Sequence, residues 1–326
     1  MRALLLAAAS AAALYAGYWF VGSRLVLDAT ETALDEIRAA GAGDYAHVGL
    51  RGFPSRFDIT VDEPRLQSAD GSVAWAAPFF QTFALSYRPN RIIAVWPDSQ
   101  TFRLRNEEIA LRTSDMRASA AFGFSTAVPL DHMALIATDG DLTSTAGWSA
   151  TFAKLRFATE RAEGQHAHRI GLAVSDLKPQ VDGLPAAFTG PGVTASLLLD
   201  GIVAFDRPID RHAGRDGLAV RTLSATALDL AWGPVSISGK GDLAVSPDGY
   251  PAGRIDLEIT GWRELPALLV ATGAIAPAVA RPLEGMMQGI ARSSGDPEVL
   301  ALPLIFRAGR ISLGPVPVGR APRLAP

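Results

Sequence analysis

Apolar and polar residues alternate with a period of two along most of the chain from residue 56 onward. In RFDITV (56–61), Phe57, Ile59 and Val61 alternate with polar or charged side chains. This period is typical of a β-strand with one buried and one solvated face. Turn sequences such as SPDG (246–249) separate the runs and suit tight connections between strands. The pattern predicts about twelve to sixteen short strands.

The order of these elements indicates the fold class. Strands do not alternate with long helical segments, as they do in doubly wound α/β folds. We expect a mainly β protein with a large curved antiparallel sheet that forms a half-barrel, a sandwich or a groove. In the hairpin at residues 239–262 the large aliphatic residues, such as Leu243 and Leu257, have odd numbers and the charged residues have even numbers. Its apolar face is expected to contact residues 263–292.

A helical period returns twice near the C-terminus. Residues 263–276 and 277–292 each carry an apolar stripe with helical spacing, which predicts a helical pair over 263–292. Gly285 and Gly289 form a small-xxx-small pair, which favours helix association inside a membrane. Arg281 and Glu284 in this short segment favour close packing of the glycines on the sheet instead. A C-terminal hairpin is expected over 302–318.

The first residues form a long apolar segment. Residues 3–22 contain Ser10 as the only clearly polar side chain, and twenty helical residues span about 30 Å, the thickness of a bilayer core. Tyr15, Tyr18 and Trp19 stand near its end, as aromatic residues do at membrane interfaces. We interpret residues 1–23 as a transmembrane signal-anchor; a cleaved signal peptide is the alternative. Both interpretations place the rest of the chain outside the cytoplasm.

The segment after the anchor is predicted to be a stalk. Residues 24–43 carry Leu34 and Ile37 near one face and acidic residues elsewhere, which predicts an amphipathic helix. The antiparallel β domain is expected to occupy residues 44–326.

Composition removes several classes of function. The formal net charge is −3 and the basic residues are spread along the chain, whereas a nucleic-acid partner requires a clustered basic surface. The chain has no cysteine, which excludes disulfides, thiolate metal sites and cysteine nucleophiles.

Motifs for catalysis or cofactor binding are absent or out of context. Residues 41–46, 190–195 and 239–244 match G-x-G-x-x-A, but a dinucleotide site needs that turn between a strand and a helix. His166 and His168 have a spacing compatible with two metal ligands, but they stand among charged residues and are expected on the solvated surface. We predict no catalytic residue, no metal, no cofactor and no enzymatic activity. Two carboxylates and a histidine in one pocket would restore the enzymatic alternative.

Tryptophan recurs along the β region at positions 75, 96, 148, 232 and 262. Tryptophan is a large amphipathic side chain that fills cores and sheet edges. We favour such packing, and a strip that faces a sugar or lipid is the alternative.

The strands offer more apolar surface than the helical pair can cover. Two or three inward residues per strand give about thirty to forty apolar side chains, against about nine on the helices. Either the sheet closes on itself or part of its face stays open, and large exposed apolar faces are rare without a purpose. The candidates for the apolar face or for ligand contact are Phe83, Leu85, Leu197, Leu199, Leu230, Trp232, Leu257, Ile259, Leu269, Met286 and Met287.

Three segments carry a resemblance to a known family. GFPSRFDIT (52–60), WGPVSISGKGDLAVSPDGYPAGRIDLEITGW (232–262) and LPLIFRAGRISLGPVPVG (302–319) are similar to the domain of unknown function 2125 of alphaproteobacteria. The resemblance implies an N-terminally anchored envelope protein with no established activity. The glycine-rich hairpins also resemble those of AsmA-like envelope proteins, which would imply a long curved sheet with an apolar groove and a role in lipid handling between membranes.

These features lead to one functional hypothesis and one alternative. We expect a non-enzymatic protein of cell-envelope maintenance, held in the inner membrane by residues 3–22 as a single-pass protein with its body in the periplasm. Its sheet would bind or pass a hydrophobic ligand with an acyl chain, because apolar grooves hold such ligands. The alternative is a structural or protein-interaction protein with a closed core, no ligand and an envelope protein as partner. No nucleic-acid partner is expected.

Overall fold

The computed structural model describes residues 1–68, 70–213, 217–273, 275–293, 296–314 and 316–324. Its first element is the helix α1 (Arg2–Ala39), which runs without a break through the predicted anchor and into the predicted stalk. Twenty antiparallel strands follow within the described residues and belong to one sheet, which confirms the mainly β fold. Contacts group the chain into two compact units: unit 1 (Met1–Phe122 and Leu135–Ala146) and unit 2 (Gly123–Ala134 and Gly147–Pro326).

Unit 1 combines α1 with two ladders of strands. Its strands are β1 (Gly43–Asp44), β2 (His47–Arg51), β3 (Arg56–Asp62), β4 (Arg65–Gln67), β5 (Val73–Ala76), β6 (Phe79–Leu85), β7 (Arg88–Val95), β8 (Ser99–Leu104), β9 (Glu107–Arg112), β10 (Asp115–Phe122) and the later part of β11 (Leu130–Ser144). The first ladder pairs in the order β1–β4–β5–β8–β9–β11. The second ladder pairs in the order β2–β3–β6–β7–β10.

Unit 2 is a meander in which each strand pairs with the next. Its strands are β12 (Ser149–Arg161), β13 (Ala167–Gln180), β14 (Ala195–Phe205), β15 (Val220–Trp232), β16 (Val235–Val245), β17 (Pro251–Thr260), β18 (Val299–Arg307), β19 (Arg310–Leu313) and β20 (Val316–Arg320). A short helix α2 (Ala186–Thr189) lies between β13 and β14. A 3₁₀ turn (Trp262–Glu264) leads into the helices α3 (Leu265–Ala271) and α4 (Pro277–Ser293), which lie between β17 and β18. These helices confirm the predicted pair, and β18 with β19 forms a C-terminal hairpin.

The described strands outnumber the twelve to sixteen expected. Several of the additional strands are too short to show a periodic pattern, since β1 has two residues, β4 has three, and β5 and β19 have four each. They are defined by their ladder partners and not by their own sequence.

The core of unit 2 lies between its helices and the hairpin of residues 239–262. The odd-numbered aliphatic residues of this hairpin belong to one buried cluster with residues of α3, α4 and β18. The apolar face of the hairpin therefore contacts residues 263–292, as its alternation predicted. The cluster includes Leu243, Ile255, Leu257, Ile259, Leu265, Leu268, Leu283, Met287, Leu300 and Leu302.

The predicted close packing of the α4 glycines on the sheet is wrong. A Cβ atom placed on Gly285 or Gly289 would meet no atom within 4 Å, so neither position is a close approach. The helix packs instead through Leu283, Met287 and Ala291, which are at most 5% exposed. These three residues recur every fourth position and form the buried stripe, which leaves the glycines on the solvated side.

Candidate functional site

An apolar cavity of about 480 Å³ lies between the two ladders of unit 1. Its size falls within the range of about 300–1,000 Å³ that is usual for small-molecule pockets. Apolar and aromatic side chains make up most of its wall, with a few polar groups among them. The cavity is lined by Leu34, Ile37, Asp44, Tyr45, Val61, Pro64, Leu66, Trp75, Phe80, Trp96, Gln100, Phe102 and Met116.

Strand pairing explains why these side chains converge. On the first ladder Leu66 pairs with Trp75, and Trp75 pairs with Phe102, so three apolar side chains form a row on one face. On the second ladder Val61 pairs with Phe80. The Phe80 ring centroid lies 6.4 Å from that of Trp75. The two apolar rows therefore contact each other beside the cavity.

Gln100 places a buried amide in the cavity wall. Gln100 is 3% exposed, so the oxygen and the nitrogen of its side-chain amide both need hydrogen-bond partners. The Trp75 Nε1–H donates to Gln100 Oε1 at 3.0 Å, and Gln100 Nε2 donates to Met116 Sδ at 3.2 Å. The amide thus fixes the orientation of the Trp75 indole that lines the cavity.

The last turns of α1 form one wall of the cavity. Leu34 and Ile37 line it, and they belong to the apolar side predicted for the stalk helix. A Cβ atom on Gly43 would lie 2.9 Å from both Ile37 Cγ2 and Leu66 Cδ2, so α1 and β1 approach closely because residue 43 has no side chain. The predicted stalk is therefore a structural part of the cavity.

Charged groups fix the end of α1 against β1. Arg38 Nε donates to Asp44 Oδ1 at 2.7 Å, and the guanidinium lies 4.1 Å from the centroid of the Tyr45 ring. This hydrogen bond raises the pKa of Arg38 and lowers the pKa of Asp44. The Tyr45 hydroxyl donates to Asp35 Oδ1 at 2.9 Å, which raises the pKa of Tyr45. These groups are exposed, so they position the helix end and add little to stability.

A second apolar surface extends across unit 2 from its core. Strand pairing aligns two rows of residues from β12 to β18. The rows are buried on β17 and β18, beneath the helices, and half-buried on β12 to β15. The first row is Leu155, Val174, Leu197, Leu230, Ile237, Ile259 and Leu300; the second is Phe157, Leu172, Leu199, Leu228, Gly239, Leu257 and Leu302.

The residues of unit 2 that the sequence predicts for the apolar face or for ligand contact lie partly on the half-buried rows and partly in the buried core. Leu197, Leu199 and Leu230 lie on the half-buried part of the rows. The others belong to the core or pack against it: Leu257, Ile259 and Met287 are at most 9% exposed, and Leu269, Met286 and Trp232 are partly buried beside them. The Trp232 Nε1–H donates to the Phe188 carbonyl oxygen at 3.0 Å.

Phe83 and Leu85 lie on the face of the second ladder that points away from the cavity. Phe83 pairs with Asp58, and Leu85 pairs with Arg56. Phe83 also lines a polar pocket of about 390 Å³, together with His47, Arg51, Asp58, Asp62 and other polar residues.

This polar pocket combines two carboxylates with a histidine, the set of groups that would indicate an enzyme. Arg56 forms an ion pair with Asp58 Oδ2, and Asp58 Oδ1 is buried without a hydrogen-bond partner in the described part of the chain. No group of three or more metal-ligating side chains occurs among the residues described. The ion pair with Arg56 engages one oxygen of Asp58, so this carboxylate is not free on both oxygens.

The predicted solvated position of His168 is wrong. β13 begins at Ala167, so His168 is a strand residue whose neighbour across the ladder is Val203, and it is 4% exposed. Its Nδ1 lies 3.3 Å from Thr159 Oγ1. Burial lowers the pKa of His168, and the positive charge of Arg161 lowers it further.

The periodic patterns in the sequence did not identify the residues of the cavity. Trp75 and Trp96 were expected in the core or at a sheet edge, but they are half-buried and line the cavity. Phe80 was missed because its strand carries aromatic residues on both faces, with Phe79 and Phe83 on one and Phe80 on the other. The neighbouring strand β3 distinguishes the two faces, because its apolar Val61 pairs with Phe80 and its charged Asp58 pairs with Phe83.

These features define a class of protein: a mainly β protein with an open antiparallel sheet, an apolar cavity, and an N-terminal helix that is long and apolar enough to cross a membrane. Comparison with known families is more specific. A family model described as an uncharacterised protein conserved in bacteria, domain of unknown function 2125, matches residues 19–322. The chain belongs to this family, as the resemblance predicted. No curated protein and no solved structure matches it, so the likeness to AsmA-like proteins is not shown.

Proposed function

We propose that this protein is a membrane-anchored, non-enzymatic binding protein of the bacterial cell envelope, whose ligand is hydrophobic and carries an acyl chain. In this proposal α1 crosses the inner membrane and the two units lie in the periplasm. The observation that carries the proposal is the apolar cavity of unit 1, lined by aromatic and aliphatic side chains and adjacent to the helix proposed as the anchor. A ligand that leaves the membrane along α1 would reach Leu34 and Ile37 first.

The size and composition of the cavity indicate the expected affinity. Burial of one methylene group is worth about 0.8 kcal/mol, so ten methylenes contribute about 8 kcal/mol. Loss of translational freedom and ordering of a flexible chain oppose this gain. A net affinity in the micromolar range or weaker is therefore expected, which suits a protein that passes its ligand on.

The half-buried rows on β12 to β15 add support from unit 2. Sheet faces without a cover are rare unless a partner or ligand uses them. Leu197, Leu199 and Leu230 continue the apolar rows beyond the area that α3 and α4 protect. These positions offer a second surface on which an acyl chain could lie.

The test is made on the full-length protein, because residues 1–40 include two residues of the cavity wall. The protein is extracted in mild detergent, its bound lipids are identified by native mass spectrometry, and it is titrated with a fluorescent long-chain fatty acid. A short-chain acid with the same carboxylate serves as the competitor control. We expect a co-purifying acyl lipid and saturable uptake that long chains displace and short chains do not. Absence of both signals in repeated preparations would overturn the proposal.

The alternative, a structural or protein-interaction protein with a closed core and no ligand, rests on a different observation. The cluster beneath α3 and α4 is closed to solvent at its centre, with Met287 and Leu300 at 0% exposure. If the lipid experiments fail while the protein co-purifies with a stoichiometric envelope protein, this alternative is supported.

A further inference from the structure

The last turns of the apolar run of α1 are fixed to the body of unit 1 by hydrogen bonds. The Tyr18 hydroxyl donates to the Ser86 carbonyl oxygen at 2.6 Å, and the Tyr15 hydroxyl lies 3.2 Å from Ser86 Oγ. The Trp19 Nε1–H donates to the Arg56 carbonyl oxygen at 2.8 Å. The aromatic residues that the sequence places at the membrane interface are thus also contacts to the folded body.

Ring packing strengthens the same contact. The Trp19 ring lies edge-on to Phe53, with centroids 5.2 Å apart, and Phe20 stacks on Phe53 at 5.5 Å. A Cβ atom on Gly22 would lie 3.0 Å from the Phe57 ring, so the helix approaches β3 closely at this glycine. Trp19 is 7% exposed. α1 therefore meets unit 1 already at residues 15–22, without an intervening flexible linker.

The length of the apolar run before this contact limits how much of a bilayer α1 can span by itself. Only residues 3–14 of the apolar run precede the contact, and twelve helical residues span about 18 Å. The hydrocarbon core of a bilayer is about 30 Å thick. If α1 crosses the membrane, the part of unit 1 beside Tyr15 and Tyr18 has to enter the bilayer to make up the difference.

The surface at that end of unit 1 has the composition of a membrane interface. We call it the Phe53/Tyr87 end and define it as the turn Gly52–Ser55 and the turn Leu85–Arg88, which are joined by a hydrogen bond from Ser86 N to Ser55 O at 2.9 Å. Phe53 is 54% exposed, Tyr87 61% and Leu85 38%. Arg51 and Arg88 are exposed at the edges of the same turns. Aromatic rings with flanking arginines suit the headgroup region, where the rings are partly apolar and the guanidinium groups reach phosphates.

We infer that the Phe53/Tyr87 end of unit 1 is a lipid-binding surface immersed in the headgroup and upper acyl region of the bilayer that α1 crosses. This inference rests on the membrane anchor of the proposed function. It places the body of unit 1 directly on the membrane, so that the apolar cavity stands at a fixed distance from the lipid.

The absence of cysteine makes the test direct, because each single-cysteine variant carries one label. Full-length Phe53→Cys and Tyr87→Cys are labelled with an environment-sensitive fluorophore and reconstituted in vesicles of phosphatidylcholine and phosphatidylglycerol. Two further single-cysteine variants serve as controls. Leu6→Cys reports the part of α1 that is proposed to lie in the membrane. Asp98→Cys reports the exposed connection between β7 and β8, beyond the far end of β7, which is about 25 Å long. Quenching is measured with lipids spin-labelled near the headgroup or at mid-chain, and with aqueous iodide.

The expected result is that labels at 53 and 87 lose most of their fluorescence to the shallow lipid quencher and little to iodide. The label at 6 is quenched by the mid-chain lipid, and the label at 98 by iodide alone. If the labels at 53 and 87 behave like the label at 98 while the label at 6 remains lipid-quenched, the immersed surface is refuted and the anchor stands. If the label at 6 is also quenched by iodide, the anchor itself fails. Equal resistance of all four variants to trypsin confirms that they are folded.

Discussion

Leu66 offers a quantitative test of the apolar cavity as a binding site. It lines the cavity, and 41% of its surface is exposed in the absence of a ligand. An acyl chain in the cavity would remove that surface from water. Full burial of a leucine side chain is worth about 1.5–3 kcal/mol, so the exposed fraction of Leu66 corresponds to about 0.6–1.2 kcal/mol. We therefore expect Leu66→Ala to weaken fatty-acid binding by about three- to eightfold.

Leu104 provides the matched control, because it lies on the same ladder at the end of β8, is 37% exposed and does not line the cavity. Both variants are titrated with the same fluorescent long-chain fatty acid, and their unfolding is followed by circular dichroism. Leu104→Ala should bind like the unmodified protein. If both variants lose affinity equally, or if Leu66→Ala binds with unchanged affinity, the cavity is not where the ligand binds.

Three further predictions concern stability. Met287→Ala should lower the free energy of unfolding by about 2–5 kcal/mol, because the side chain is fully buried in the core of unit 2; Gly285→Ala in the same helix should leave it unchanged or raise it by up to about 1 kcal/mol, since a Cβ atom there meets nothing. A comparable loss in Gly285→Ala would show that α4 packs differently. Gln100→Leu should cost about 1–3 kcal/mol by leaving the Trp75 indole N–H without its acceptor, and a neutral result in urea unfolding would contradict the assigned bond. Burial lowers the pKa of His168 from 6.5, so the unfolded state binds more protons below that pH. The contribution of the neutral, buried His168 to the free energy of unfolding is therefore complete above about pH 6.5, and it decreases as the pH falls below that value. Thermal melts from pH 8 to pH 5 should lose this dependence in His168→Gln and keep it in His132→Gln, whose side chain is exposed; identical profiles would refute the assignment.

Periodicity in the sequence was sufficient for the longer strands and the helices and for the packing of the 239–262 hairpin, but not for the strands of two to four residues. The odd-numbered aliphatic residues of 239–262 face the helical pair because a strand has a strict period of two and the helices follow directly along the chain. The long apolar run at the N-terminus likewise determined α1, since helix formation and hydropathy are local properties. The side of α4 that packs was not determined by its glycines, because a small residue permits close approach but does not require it.

Only the tertiary structure decided where the cavity lies and what α1 contacts. The strand FFQTFAL is apolar on both faces, so its own sequence is ambiguous; pairing of Val61 with Phe80 and of Asp58 with Phe83 selects the face that meets Trp75. The rows from β12 to β18 look uniform in sequence, yet α3 and α4 cover just the later strands. Tyr18, Trp19 and Gly22 carry a membrane-anchor pattern, but their partners at Ser86, Arg56 and Phe57 lie more than thirty residues away. Long-range pairing of this kind depends on the registry of other strands, and a periodic pattern in one segment holds no information about it.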